Sequence, residues 1–291
     1  MSYIHTMVVE GADLPPTHEN DTLRVLVLGS SGVVGSSLVK HLRTLGHDVI
    51  EWDILLSPMH DLSNSVNTLH LKRVIDDCDS VFFLAFDVGG SKYLADTSTD
   101  FINRNLLIMM NTFSLLEGKR FAFTSSQMSN MSENSYGVLK LLGEHYTRHL
   151  GGLSVRFWNV YGPEEFSQKS HVIPDFIHNF KATGKINMMT TGAEERQFLH
   201  TRDCARAMTS LMMNFQQIKE DGREYVDITS FEWTTIKDIA TRIAGDSVTA
   251  SERTDTTQTL KNEPNEYMLE FWQPEISLES GLEELLHGSS D

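Results

Sequence analysis

Arg24-Val25-Leu26-Val27-Leu28 is an apolar, β-branched run that passes at once into Gly29-Ser30-Ser31-Gly32-Val33-Val34-Gly35 and a helical pattern over 34–45. A strand joined to a helix through glycines spaced G-x-x-G-x-x-G narrows the fold sharply. The turn needs backbone angles that glycine adopts at little cost, and it leaves bare N–H groups at a helix N-terminus. In a βαβ unit this is the phosphate turn of a dinucleotide site. The expected cofactor contacts are Gly29, Ser31, Gly32, Val33, Val34 and Gly35.

The next segment agrees. The helix stops at Gly46, and residues 47–53, His-Asp-Val-Ile-Glu-Trp-Asp, form a second strand. Asp53 lies about twenty residues past the turn, where a carboxylate accepts hydrogen bonds from the adenosine ribose. That carboxylate would repel a 2′-phosphate, so NAD is favoured over NADP. Asp61 and Leu62 either flank the adenine or belong to an ordinary loop.

A net charge of −16 leaves no basic stripe for nucleic acid. A phosphorylated ligand must therefore be held by a few placed cations and backbone amides. Cys78 and Cys204 are the only cysteines, which excludes a disulfide framework and suits a reducing cytoplasm. No histidine spacing marks a metal site, and no metal is expected. Residues 1–22 carry no Lys or Arg, so they match neither a signal nor a transit peptide and are expected to form an arm. No apolar run reaches membrane-spanning length.

Beyond strand two, the route to Asp61 is too short for a full crossover helix. Helices are expected over 63–78, 97–116 and 134–150, with strands at 80–85, 120–125 and 153–160. Strands alternating with helices imply a parallel sheet covered on both faces. After Gly162 the pattern loosens into helices at 172–183, 201–219, 234–244 and 278–286, with a strand at 225–229. The expected division is an arm (1–22), a nucleotide-binding domain (23–160, with 196–230 returning to it) and a smaller lobe (161–195 and 231–291). The pairs Met109-Met110, Met188-Met189 and Met212-Met213 are expected to fill cores.

Ser135-Tyr136-Gly137-Val138-Leu139-Lys140 places Tyr136 and Lys140 four residues apart on one helix face. A nearby cation favours phenolate, so Tyr136 can exchange a proton with a substrate hydroxyl near neutral pH, and Lys140 can also hold a cofactor ribose. Ser126, ending the preceding strand, can bond the same substrate oxygen.

These segments resemble an extended short-chain dehydrogenase/reductase of the nucleotide-sugar epimerase/dehydratase family. The similarity runs from about residue 23 to 286. It rests on the glycine turn, Phe83-Leu84-Ala85, Thr124-Ser125-Ser126, Tyr136-x-x-x-Lys140, Arg156 to Pro163 (RFWNVYGP), Arg196-Gln197-Phe198-Leu199-His200, Trp272-Gln273-Pro274 and Ser277-Leu278-Glu279. The resemblance implies a Rossmann-like, doubly wound α/β fold with a C-terminal substrate lobe and bound NAD. It implies Ser126, Tyr136 and Lys140 as the catalytic trio, with Leu84 and Ala85 against the cofactor. Asn159 would contact the sugar-nucleotide diphosphate, and Arg196 the phosphate or ribose side.

Residues 85–90, including Asp87, Gly89 and Gly90, resemble a GDP-mannose 3,5-epimerase segment, and Ser170-His171-Val172-Ile173-Pro174 resembles GDP-fucose synthases. Asp87, Gly89, Gly90 and Val172 thereby become candidate substrate contacts. His171 is either the acid of that chemistry or a structural residue at a helix start. Two departures matter. Met128 stands where the 3,5-epimerases place a cysteine base, and Gln127-Met128 replaces the Asp-Glu of sugar 4,6-dehydratases. The stretch from Ser126 to Tyr136 is also short, so the pocket is either more open or closed by another segment.

The expected function is an NAD-dependent nucleotide-sugar epimerase acting at C4 through a keto intermediate. Its rivals are an NAD(P)H-dependent 4-keto-sugar reductase and a non-catalytic dinucleotide sensor. A homodimer through helices 97–116 and 134–150 is implied by the resemblance and by surplus apolar residues there: Phe101, Leu106, Ile108, Met109, Met110, Phe113, Leu139, Leu142 and Tyr146.

Overall fold

The computed structural model describes residues 22–255, 258 and 260–288; the expected arm falls outside them, save for Thr22. Its first half is β1 (Arg24–Leu28), α1 (Val33–Thr44), β2 (Asp48–Trp52), α2 (Thr68–Asp76), β3 (Ser80–Phe83), α3 (Ser91–Leu94), α4 (Thr99–Phe113), β4 (Arg120–Ser126), α5 (Ser135–His149) and β5 (Leu153–Phe157). There follow β6 (Asn159–Tyr161), α6 (Val172–Thr183), β7 (Ile186–Asn187), β8 (Glu195–His200), α7 (Thr201–Met213), α8 (Phe215–Glu220), β9 (Tyr225–Ile228), β10 (Trp233–Thr235), α9 (Ile236–Ala244), β11 (Val248–Thr249) and α10 (Leu278–His287).

Among the described residues six parallel strands make the main sheet, in the order β2-β1-β3-β4-β5-β9. Both faces are covered, so the central strands β1 and β3 are apolar beyond their first residue rather than alternating. Val25 and Val27 face a core shared with α1 and α7, whereas Leu26 and Leu28 face one shared with α2, α4 and α5. This two-residue period sorts the side chains between the layers. The sheet ends at β2, and two 3₁₀ turns (Pro58–His60 and Ser65–Asn67) lead to α2, consistent with the short route expected there. The chain leaves β1 for β2 and returns to β3 on the other side. That reversal opens a crevice at the carboxyl ends of β1 and β3, where open α/β sheets bind ligands.

A second sheet, β10-β8-β6, adjoins a third core built from α6, α9 and α10. The expected strand 153–160 breaks at Trp158, and Asn159–Tyr161 crosses into this second sheet. The indole anchors the corner: Trp158 Nε1 donates to Asp227 Oδ1 (3.0 Å), and its ring meets Trp233 edge-on at 5.7 Å. The expected helix 201–219 breaks at Asn214, whose side chain donates to the Ser210 carbonyl (2.8 Å) in competition with the helical ladder. Of the three methionine pairs only Met212-Met213 joins a core with both side chains. Met109, Met188 and Met212 are buried, but Met110 and Met189 are more than half exposed, because neighbours on a helix or strand point to different faces.

Candidate active site

The glycines of the turn act differently from one another. Gly29 has φ +87°, in the left-handed region, and a Cβ there would lie 2.7 Å from the Ala85 nitrogen. Gly35 has an ordinary φ, but a Cβ would sit 2.1 Å from the Gly29 carbonyl oxygen, so its bareness lets α1 start against the turn. Gly32 needs neither freedom, for its Cβ would have 3.5 Å of clearance. It is the N-cap of α1 and offers no capping side chain, which leaves the first-turn N–H groups at Val33, Val34 and Gly35 for an anion. Only one of the three glycines therefore uses a positive φ. The cradle fits a pyrophosphate: bare amides at the start of a twelve-residue helix, without an acidic residue in its first turn.

Asp53 reaches this cradle directly. Its Oδ2 accepts from the Ser31 N–H (3.0 Å) and its Oδ1 from the Leu55 N–H (2.9 Å), leaving lone pairs on both oxygens. His60 stacks on Trp52 at 4.2 Å and accepts from the Asp53 N–H (3.4 Å); burial lowers its pKa. Asp61 accepts from the Ser63 N–H and hydroxyl (2.9 and 2.7 Å), while the Leu62 side chain packs into the core. Leu84 continues the β3 ladder by donating to the Leu28 carbonyl, and Ala85 abuts Gly29.

The trio assembles at the end of β4. Asn134 caps α5, its Oδ1 accepting from the N–H groups of Tyr136 (2.9 Å) and Gly137 (3.3 Å). A Cβ on Gly137 would meet the Met128 carbonyl oxygen at 2.2 Å, so glycine lets the helix start lie on the 3₁₀ turn Gln127–Asn130. Ser126 caps that turn, its Oγ accepting from the Met128 N–H (3.2 Å), and it is hydrogen-bonded to the Tyr136 phenol. Lys140 Nζ donates to the Thr124 carbonyl (2.7 Å) and lies 3.7 Å from the centre of the Phe86 ring.

Burial acts on the charges of both groups. The Tyr136 pKa is pushed up to about 12 by desolvation, against the weaker pull of Ser126. The Lys140 pKa falls to about 7 by desolvation, against the opposing charge of Glu144. A simple cation-stabilised phenolate is thus not the resting state. The phenol keeps its proton, and Lys140 loses its own near neutral pH, because neither charge is hydrated.

At Gln127, the residue after Ser126, opens a cavity of about 150 Å³, lined also by Trp158, Arg196, Trp233, Lys261 and Asn262 among others. Gln127 is tied to a distant segment: its Nε2 donates to Gln258 Oε1 (2.9 Å), and Asn262 Nδ2 donates to its carbonyl and side-chain oxygens (2.6 Å each). This segment borders the pocket that the short Ser126–Tyr136 stretch leaves, and the primary sequence held no local sign of it. Asn134 was readable, as a capping residue two positions before Tyr136. Arg196 pairs with Asp255 and donates to the Glu195 carbonyl (2.7 Å). Asn159 Nδ2 donates to the Gln197 carbonyl (3.4 Å). Met128 is buried and apolar, so it offers no proton acceptor.

The remaining candidates form a clamp. Tyr93 and Lys169 hold the Asp87 carboxylate, and Asn105 bonds its backbone on both sides. Gly89 and Gly90 seat against residues 169–171; a Cβ on Gly90 would lie 2.4 Å from the Ser170 oxygen. His171 precedes α6, its Nδ1 2.9 Å from Glu164 Oε2, and Val172 opens the helix against the third core. Among the described residues no group of three or more potential ligands could hold a metal.

GDP-mannose 3,5-epimerase 1 of Oryza sativa subsp. indica is 26% identical over 265 residues, covering 76% of this chain and 68% of that protein. A probable GDP-L-fucose synthase 1 of Oryza sativa subsp. japonica is 26% identical over 307 residues, covering 90% of each. A GDP-6-OMe-4-keto-L-xylo-heptose reductase from C. jejuni superposes with a TM-score of 0.78 at 19% identity, over 94% of this chain and 98% of that one, and so shares the fold. The model of the NAD-dependent epimerase/dehydratase family matches residues 25–226, from the first strand of the glycine turn to the last strand of the main sheet. This chain is an enzyme that belongs to the NAD-dependent epimerase/dehydratase family.

Proposed function

We propose that the chain is a nucleotide-sugar epimerase that inverts C4 of the sugar through a 4-keto intermediate. One observation carries the choice of carbon: Tyr136, Ser126 and Lys140 are assembled, but position 128 holds a buried methionine. Proton exchange at a hydroxyl is provided for, whereas proton abstraction from a sugar carbon is not. Tyr136 takes the C4 hydroxyl proton, Ser126 holds the same oxygen, and Lys140 steadies the ribose and the charge that develops. Residues 29–35 hold the pyrophosphate, and Asp53 accepts from the ribose. Bound NAD supplies hydride acceptance and return at the sugar carbon. The diphosphate lies toward Asn159 and Arg196, and the sugar between Gln127 and the clamp of Asp87, Gly89 and Gly90. His171, held by Glu164, and Val172 border that end.

The likeness to GDP-L-fucose synthase favours one second reading, a 4-keto-sugar reductase running the trio in one direction with exchanged NAD(P)H. The glycine turn through residue 160, with β9, forms the cofactor unit, and α6, α9 and α10 the core of the substrate lobe. The chain acts in the cytoplasm as a homodimer, paired through α4 and α5. Among the described residues no helix is long and apolar enough to cross a membrane.

Incubation with GDP-mannose, GDP-glucose and UDP-glucose in deuterated water tests the reading by NMR. C4 inversion produces the 4-epimer without solvent deuterium in the sugar, and it needs no added reductant. Deuterium at C3 or C5 would mean a carbon base that this site is not seen to hold. Stoichiometric NAD(P)H consumption with a 4-keto sugar would establish the reductase.

A further inference from the structure

Arg196 lines the same cavity as Gln127, yet it is already engaged. Its side chain is only 14% exposed and pairs with Asp255, itself 15% exposed. The two arrive by different routes. Arg196 is fixed in β8, in register with Thr234 of β10. Asp255 comes from beyond β11, outside any helix or strand, 59 residues further along the chain. The segment that follows has other anchors: Gln258 and Asn262 on Gln127, and Lys261 on Glu195 (2.6 Å). Its placement does not depend on the Arg196 pair alone.

A carboxylate and a phosphate offer a guanidinium fork the same kind of acceptor pair. They cannot both sit there closely, because like charges in a poorly hydrated cavity repel strongly. We infer that Asp255 is an internal competitor for the diphosphate at Arg196, and that it sets how tightly the nucleotide sugar binds. The inference rests on the nucleotide-sugar reading above. In the absence of nucleotide Asp255 neutralises a cation that would otherwise be buried alone. On binding, the diphosphate displaces it, so the apparent affinity is reduced by the fraction of molecules in which Arg196 is occupied.

Calorimetric titration of the full chain with GDP, UDP and the nucleosides guanosine and uridine provides the test. Asp255→Asn keeps the shape and removes the charge; it should tighten whichever diphosphate the wild type binds by roughly 5-fold or more. The matching nucleoside should bind unchanged, and Asp255→Glu should keep wild-type affinity. In the wild-type chain the diphosphate should also raise amide exchange at residues 253–255, a readout that needs no variant. Equal or weaker diphosphate binding by Asp255→Asn would overturn the inference and make Asp255 a positioning residue for Arg196. An equal gain for the nucleoside would overturn it too, since the effect would then be access rather than charge. If neither diphosphate binds wild type or variant, the nucleotide-sugar reading itself falls, and the competition with it.

Discussion

In Tyr136 the phenol sits away from water with Ser126 as its partner, and the ammonium of Lys140 points at a carbonyl and an aromatic face. Because burial raises one pKa to about 12 and lowers the other to about 7, the first proton to leave the pair does so near pH 7. Interacting groups titrate as a unit, so that step belongs to the dyad. Proton abstraction needs the deprotonated dyad, and kcat/KM for sugar oxidation should therefore rise with pH through about 7. In Lys140→Met only the phenol remains, and the rising limb should move up toward 12. Tyr136→Phe removes the transferring oxygen but keeps the ring; turnover should fall ~10²–10⁴-fold with NAD binding nearly intact. A limb near 7 that persists in Lys140→Met would assign the titration to another group.

At the scale of elements, the β1–α1 turn separates what glycine does for the fold from what it does for the ligand. Gly35→Ala drives a Cβ to 2.1 Å from the Gly29 oxygen, a backbone atom that cannot swing away. It should destabilise the chain by ~1–3 kcal/mol, as overpacking does, and weaken NAD. Gly32→Ala meets nothing closer than 3.5 Å, so melting should stay put while NAD affinity falls, the added methyl crowding the bare amides at the start of α1. Calorimetry and a thermal melt on both variants separate the effects; equal melting temperatures would refute the division. The strand, turn and helix were legible in the sequence because they are local, as was Tyr136-x-x-x-Lys140 on its helix. The break at Trp158 was not, since it depends on Asp227, 69 residues away. The segment around Asn262 was hidden for the same reason: its partner Gln127 lies 135 residues back, and neither residue carries a periodic signal. Desolvation of the dyad was equally invisible, because burial belongs to the folded layers and not to the spacing of the motif.

For the whole molecule, the outer faces of α4 and α5 carry the proposed homodimer contact. The helices pack on each other, with Phe113 stacked on Tyr146 at 5.1 Å. Of the apolar residues expected to form an interface, Phe101, Ile108, Met109, Phe113 and Leu139 are buried within the chain itself. Of that set Met110, Leu142 and Tyr146 stay exposed, and Leu107 on α4 with Val138 and Leu141 on α5, which were not expected there, join them, each between 37% and 58% accessible. These recur at three- and four-residue intervals, so they form one face. A contiguous apolar face is best covered by the same face of a second copy, which a two-fold axis permits. Light scattering at micromolar concentration should give twice the chain mass. Met110→Lys with Leu142→Glu should give monomer, because the axis places each charge in the interface twice, at about 2 kcal/mol or more per buried anchor. A wild-type monomer that persists on concentration would defeat the dimer. The monomeric variant should still bind NAD, for the inner face of α5 is fixed within the chain. Gly137 lies on Met128, and Gly143 lies so close to Phe123 that a Cβ would come within 2.3 Å of the ring. Loss of the partner would then reach Tyr136 only through the freedom of the exposed stripe, and a variant that is monomeric yet turns over at the wild-type rate would show that the site is complete in one chain.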